Sequence, residues 1–272
     1  MGSADIVPGI SGGTIALITG IYDYLVEAIS NIKFAFLKPL FKGNIDGFIK
    51  GISQEIDFKF FIPLILGIGV AFLTFANLVT YCMDYYTAST YSFFLGLIIA
   101  SAVILFKKLD NINFKHILFA LIGGILTFIF VSLNPIAANH SLFVLFISGM
   151  IAICAMILPG ISGSFLLLLL GQYEYMLNTL HNFNIVDIIV FVVGALIGIL
   201  GFSKILNYLL KNYKEITMAS LIGVMIGSLR VPGVEIANSI GLNFAGLLQC
   251  LIIALIGFAL IIILESRFDY ID

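Results

Sequence analysis

Charge is scarce along this chain. Only 10% of its 272 residues are Asp, Glu, Lys or Arg, while 61% are hydrophobic; ordinary soluble domains carry roughly one quarter charged residues. Water is therefore not its main solvent. There are just two arginines, and the formal net charge is −2. The basic footprint that neutralises nucleic-acid phosphates is missing, which excludes nucleic acid as a partner.

Cysteine and histidine are few as well. Cys82, Cys154 and Cys250 lie in or beside apolar runs. Their odd number and their spacing fit neither a disulfide framework nor a metal site, so they are expected to be small packing residues. His116, His140 and His181 are scattered at segment ends, none three or four residues from another ligand. No metal and no other cofactor is expected. The chain opens on Met-Gly-Ser-Ala-Asp and a Gly/Pro-rich motif, not on a basic stretch followed by an apolar run, so no cleavable signal is predicted.

Apolar length is what the chain has in abundance. A hydrocarbon core of about 30 Å takes about 20 helical residues at about 1.5 Å each. Six spans are predicted: Phe60–Tyr81, Tyr86–Phe106, His116–Leu133, Ile185–Phe202, the short Ile216–Val231, and Phe244–Leu264. Two further stretches, Ala4–Ile29 and Leu142–Gly171, are interrupted by Pro-Gly. Between Ile45 and Asp57, apolar residues at helical spacing predict an interfacial helix, with a lipid-sensing or regulatory arm as the alternative.

Orientation follows from the positive charges, which short cytoplasmic loops retain. Lys33, Lys38, Lys42, Lys50 and Lys59 precede the first span, and Lys107, Lys108 and Lys115 follow the second. Lys204, Lys211 and Lys214 separate the fourth and fifth, and Arg267 follows the sixth. With these loops and the C-terminus cytoplasmic, twelve of thirteen positive charges lie inside and Arg230 alone lies outside. A straight crossing by Leu142–Gly171 would reverse every later loop. It is therefore predicted to be a re-entrant hairpin from the outer face, and Ala4–Ile29 one from the inner face.

The two interruptions repeat each other. Ile6-Val7-Pro8-Gly9-Ile10-Ser11-Gly12-Gly13 matches Ile157-Leu158-Pro159-Gly160-Ile161-Ser162-Gly163-Ser164, and the register carries Gly20 onto Gly171, Tyr22 onto Tyr173, Asp23 onto Glu174 and Tyr24 onto Tyr175. At another offset, Leu95-Gly96 matches Ile222-Gly223, and Ala100-Ser101 matches Gly227-Ser228. The fold class expected is an all-α membrane protein of two inverted-topology repeats, 1–133 and 142–272, each a re-entrant Pro-Gly helical hairpin plus three transmembrane helices. Breaks of this kind leave amides unpaired in hydrocarbon unless protein, water or ligand satisfies them. Helix N-termini there favour an anion, and Ser11, Thr14, Ser162 and Ser164 add hydroxyl donors beside glycines that permit close approach. The alternative is a kinked helix with Ser caps and glycines for packing.

The run Ala4–Thr14, its copy Ile157–Gly163, and the segments Phe93–Ile98 and Gly227–Arg230 resemble the polyprenyl-phosphate (undecaprenyl-phosphate) transporter family of the PopT type. That resemblance implies translocation of a polyprenyl phosphate back to the cytoplasmic leaflet for reuse in cell-envelope synthesis. The phosphate-binding set expected is Pro8, Gly9, Ser11, Gly12, Gly13, Thr14, Pro159, Gly160, Ser162, Gly163, Ser164 and Arg230. Arg230 either recruits phosphate or snorkels to the interface. Asp5, Asp23 and Glu174 are the candidates for coupling to a proton or a sodium ion; Asp23 and Glu174 serve equally as Tyr-flanked interfacial anchors. Two departures stand out. Seventeen residues lead from Leu142 to Pro159 while seven precede Pro8, so the first hairpin is short of an arm and the chain is expected to start late. Asp5 is matched by Met156. The rival functions are an ion-coupled transporter of a small soluble anion and an intramembrane lipid phosphatase. The phosphatase wants a nucleophile, base and anion clamp together, and no His lies near either motif.

Overall fold

The computed structural model describes residues 1–6, 11–36, 39, 43–109, 112–133, 139–241 and 243–268. Pro8 and Gly9 lie outside them. Every regular element among the described residues is helical. The first half holds α1 (Gly2–Asp5), α2 (Gly12–Ile18), α3 (Tyr22–Ser30), α4 (Ile45–Glu55), α5 (Phe58–Tyr85), α6 (Thr87–Lys107) and α7 (Phe114–Phe130). In the second half come α8 (Leu142–Ile157), α9 (Gly163–Leu169), α10 (Tyr173–His181), α11 (Ile185–Asn212), α12 (Lys214–Ser228), α13 (Arg230–Ile240) and α14 (Phe244–Phe268). Five units are long and apolar enough to cross a membrane: α5, α6, α11, α12 with α13, and α14.

Helix limits depart from the periodicity in three places. α7 begins at Phe114, where Asn113 and His116 close a capping box, and ends after 17 residues. α11 runs ten residues past Phe202, because Leu206 and Leu210 extend its buried stripe by one more turn; Lys204 and Lys211 therefore lie on the helix and not in a loop. α12 stops at Ser228 and α13 resumes at once, with Pro232 in its first turn, where no intrahelical amide is lost. α5 has no buried residue at all, so acyl chains are the solvent that suits it.

Long helices cross where glycine lets backbones touch. A Cβ at Gly96 of α6 would fall 1.9 Å from the Ala254 carbonyl oxygen of α14, and one at Gly257 would fall 2.2 Å from that of Phe93. The matched crossing is α12 on α7. There a Cβ at Gly223 would meet the Ala120 carbonyl oxygen at 1.9 Å, and one at Gly123 would meet that of Ser220 at 2.5 Å. A third crossing sets Gly194 and Gly198 of α11 against the Phe146 and Met150 carbonyls of α8, at 2.1 and 2.5 Å. Such contacts maximise dispersion where lipid supplies no hydrophobic drive between helices.

The two short-helix pairs turn identically. Gly20 (φ 73°) and Gly171 (φ 64°) each end a seven-residue helix. Their amides and the next ones bond back to the Leu17 and Ala16 carbonyls in one case, and to Leu168 and Leu167 in the other. This is the double bond of a left-handed helix cap. α11 then touches both products: Asp187 in its first turn accepts from Tyr175 of α10, while Asn207 donates to Ser30 of α3 and Lys211 pairs with Glu27. Asp187 and Lys211 are about 36 Å apart along the helix.

Gly96→Val and Gly223→Val are expected to lower the thermal midpoint of the detergent-purified protein sharply, since overpacking onto backbone costs about 1–3 kcal/mol or more. Gly67→Ala, at a helical glycine with nothing within 4 Å, should leave it unchanged or raise it.

Candidate functional site

The two broken segments meet. Between α8 and α9 the chain runs Leu158-Pro159-Gly160-Ile161-Ser162, and Gly160 takes φ 88°, which favours glycine. Its amide donates to Thr14 Oγ1 at 2.9 Å. Ser11 Oγ donates to the Leu158 carbonyl at 3.0 Å, and a Cβ at Gly13 would lie 2.6 Å from the Ile157 oxygen. Ser11 and Thr14 are 1% exposed. Hydroxyls of the first motif thus complete the backbone that the second leaves open, as burial of polar backbone requires.

Donors at the two tips are used differently. At the start of α2, the Gly12 amide donates to Asp5 Oδ1 at 2.6 Å and the Gly13 amide to Ser11 Oγ at 3.0 Å. A Cβ at Gly12 would strike the Asp5 carboxylate at 2.4 Å. At the start of α9 no side chain caps the first turn; Ser162 and Ser164 share a hydrogen bond at 2.8 Å, and Met156 stands where Asp5 stands in the first motif. A cavity of about 280 Å³ opens here, lined by Asp5, Ser162 and Ser164 and by apolar residues that include Phe72, Ala152 and Phe191.

Of the residues expected at the site, the structure gathers Ser11, Gly12, Gly13, Thr14, Pro159, Gly160, Ser162, Gly163, Ser164 and Asp5. Arg230 lies two residues beyond Ser228, whose hydroxyl is 2.8 Å from where a Gly160 Cβ would be; its guanidinium sits 4.9 Å over the Phe128 ring. Asp23 and Glu174 are elsewhere. Asp23 pairs with Lys214 at 3.0 Å, and Glu174 is exposed in the first turn of α10.

Sequence reasoning missed the ties that anchor the short helices. Tyr24 hydrogen-bonds Asp57, which caps α5; the bond raises the tyrosine's pKa and lowers that of the carboxyl. Tyr175 donates to Asp187 at 2.6 Å, a bond that raises its pKa, and Asn184 donates to the same carboxylate. The doubled Tyr-acid-Tyr pattern was visible, but its acceptors lie on other helices. Gln172 is fully buried and bonds His140 at 2.9 Å and the Asn139 carbonyl. At the opposite end of α11, Lys211–Glu27, Lys214–Asp23 and Lys108–Glu265 join the two halves of the chain. Among the described residues no three His, Cys, Asp or Glu side chains are grouped to hold a metal.

Long apolar helices, glycine crossings and interlocked broken helices at their centre define a multi-pass membrane protein. Residues 1–238 match the family described as VCA0040-like, undecaprenyl phosphate translocase-like, and the chain belongs to that family. It is 40% identical over 229 residues to a polyprenyl-phosphate transporter of Vibrio cholerae serotype O1, covering 84% of this chain and 73% of the relative. A Staphylococcus aureus polyprenyl-phosphate transporter is 32% identical over 247 residues, covering 84% and 81%. No solved structure matches.

Thr14→Val would leave the buried Gly160 amide without an acceptor. It is expected to cost about 1–3 kcal/mol, seen as a lowered thermal midpoint, with Thr14→Ser close to wild type.

Proposed function

We propose that this protein carries a polyprenyl phosphate, of the undecaprenyl phosphate class, between the leaflets of the cytoplasmic membrane, returning carrier lipid for cell-envelope synthesis. One observation carries the reading: Ser11 and Thr14 of the first motif bond the Leu158-Pro159-Gly160 break of the second, beside a cavity lined by Asp5, Ser162, Ser164 and apolar side chains. The names of both relatives support the same substrate class. The headgroup sits at the tips, held by Ser162, Ser164 and the amides around Gly163, while the prenyl tail stays in lipid. Ser11, Thr14 and Gly160 hold the tips together. Arg230, on its aromatic shelf, meets the phosphate at the outer side.

Alternating exposure follows from an inverted layout. α11 is bonded to the second short-helix pair near its first turn and to the first pair near its last turns, which supports hairpins that return to opposite faces. Lys108, Lys211 and Lys214 gather at a single end with Glu265, supporting a cytoplasmic assignment for that end and for the C-terminus.

Cells lacking the protein are expected to accumulate polyprenyl phosphate in the outer leaflet, and Gly12→Leu and Ser162→Ala should restore recycling poorly or not at all. An unchanged outward-facing pool, with collapse of soluble-anion uptake instead, would replace the lipid by a small anion as substrate. Cysteine labelling of residues 172–182 should succeed from the outer face in intact cells; labelling only from the cytosol would overturn the inverted layout.

A further inference from the structure

Asp5 is the acidic side chain that the described residues bring to the tips. Its Oδ1 accepts the Gly12 amide at 2.6 Å, whereas its Oδ2 is buried with no hydrogen-bond partner among the described residues. The carboxyl lines the cavity together with Ser162 and Ser164. Two facts then conflict. An ionised, desolvated carboxylate oxygen with no partner is a strongly unfavourable group, and a phosphate arriving in the same cavity places a second anion beside it. A single proton removes both difficulties. On Asp5 it removes the buried charge and the like-charge repulsion, and makes the carboxyl a hydrogen-bond donor as well as an acceptor.

We propose that the cavity takes the phosphate end of the lipid together with one proton carried on Asp5, so that lipid and proton are bound, carried and released as a pair. The inference rests on the transport reading above and specifies its coupling. Other acids are placed differently: Asp23 and Glu27 are ion-paired to Lys214 and Lys211, and Glu174 is exposed at an end. Met156, matched to Asp5, cannot take a proton, so the stoichiometry is one. The groups facing Asp5 are the Gly12 amide from α2, Met156, Ser162 and Ser164 from α8 and α9, and Phe72 from α5. None of these groups titrates.

The test reconstitutes the full chain in phosphatidylethanolamine–phosphatidylglycerol vesicles with a trapped pH dye and a fluorescent short-chain polyprenyl monophosphate. Wild type should move close to one proton per lipid, and an imposed pH gradient should drive net lipid accumulation. Asp5→Asn, a neutral side chain that can still accept from Gly12, should bind the lipid yet lose the dye signal and the gradient-driven accumulation. Wild-type lipid movement with no proton, or with sodium substituting for it, would overturn the inference and leave the transport reading intact. So would an Asp5→Asn protein that still moves protons with lipid. Movement of inorganic phosphate but not of the lipid would overturn both. The wild-type proton count stands on its own if Asp5→Asn proves unstable.

Discussion

A backbone that breaks inside hydrocarbon must find partners within the protein, and the rest of this molecule is arranged around that requirement. Each unpaired amide or carbonyl at membrane depth costs several kcal/mol in the absence of water. Here the second break is satisfied largely by the first, through Thr14 to Gly160 and Ser11 to Leu158. The motif is therefore doubled for a structural reason as well as a chemical one. Neither tip is complete without the other.

Partial satisfaction gives the site its chemistry. Asp5 occupies the first amide of α2, while α9 starts with no side-chain cap and with paired serine hydroxyls at a cavity wall. Two tips alike in sequence are thus unlike in occupancy. One has its first amide capped by the Asp5 carboxyl and the other has no side-chain cap, and the difference traces to Asp5 against Met156.

Around this centre the helices are held by shape more than by charge. The crossings at Gly96, Gly223 and Gly194 bring backbones together to distances any side chain would prevent. By contrast, Lys211–Glu27, Lys214–Asp23 and Lys108–Glu265 have roughly half-exposed lysines, where each pair contributes about 0–1 kcal/mol. Tyr24–Asp57 and Tyr175–Asp187 fix the short helices to the spans that follow them.

Much of this was legible in the sequence, because its physical causes are local. Apolar runs set most of the spans, Pro159-Gly160 sets the break between α8 and α9, and Gly20 and Gly171 set turns that need positive φ. Helix lengths were less legible: α11 continues to Asn212 on the strength of a buried stripe whose partner, α3, lies far away in the chain. The candidate site was divided in the same way. Residue types and register came from the motif copies, yet only tertiary structure decided that Ser11 and Thr14 bond the other tip, that Asp23 pairs with Lys214, and that Asp5 keeps one oxygen without a partner among the described residues. A sequence determines which groups must be satisfied; which of them satisfies which depends on contacts between residues some 150 positions apart, and those are formed by packing alone.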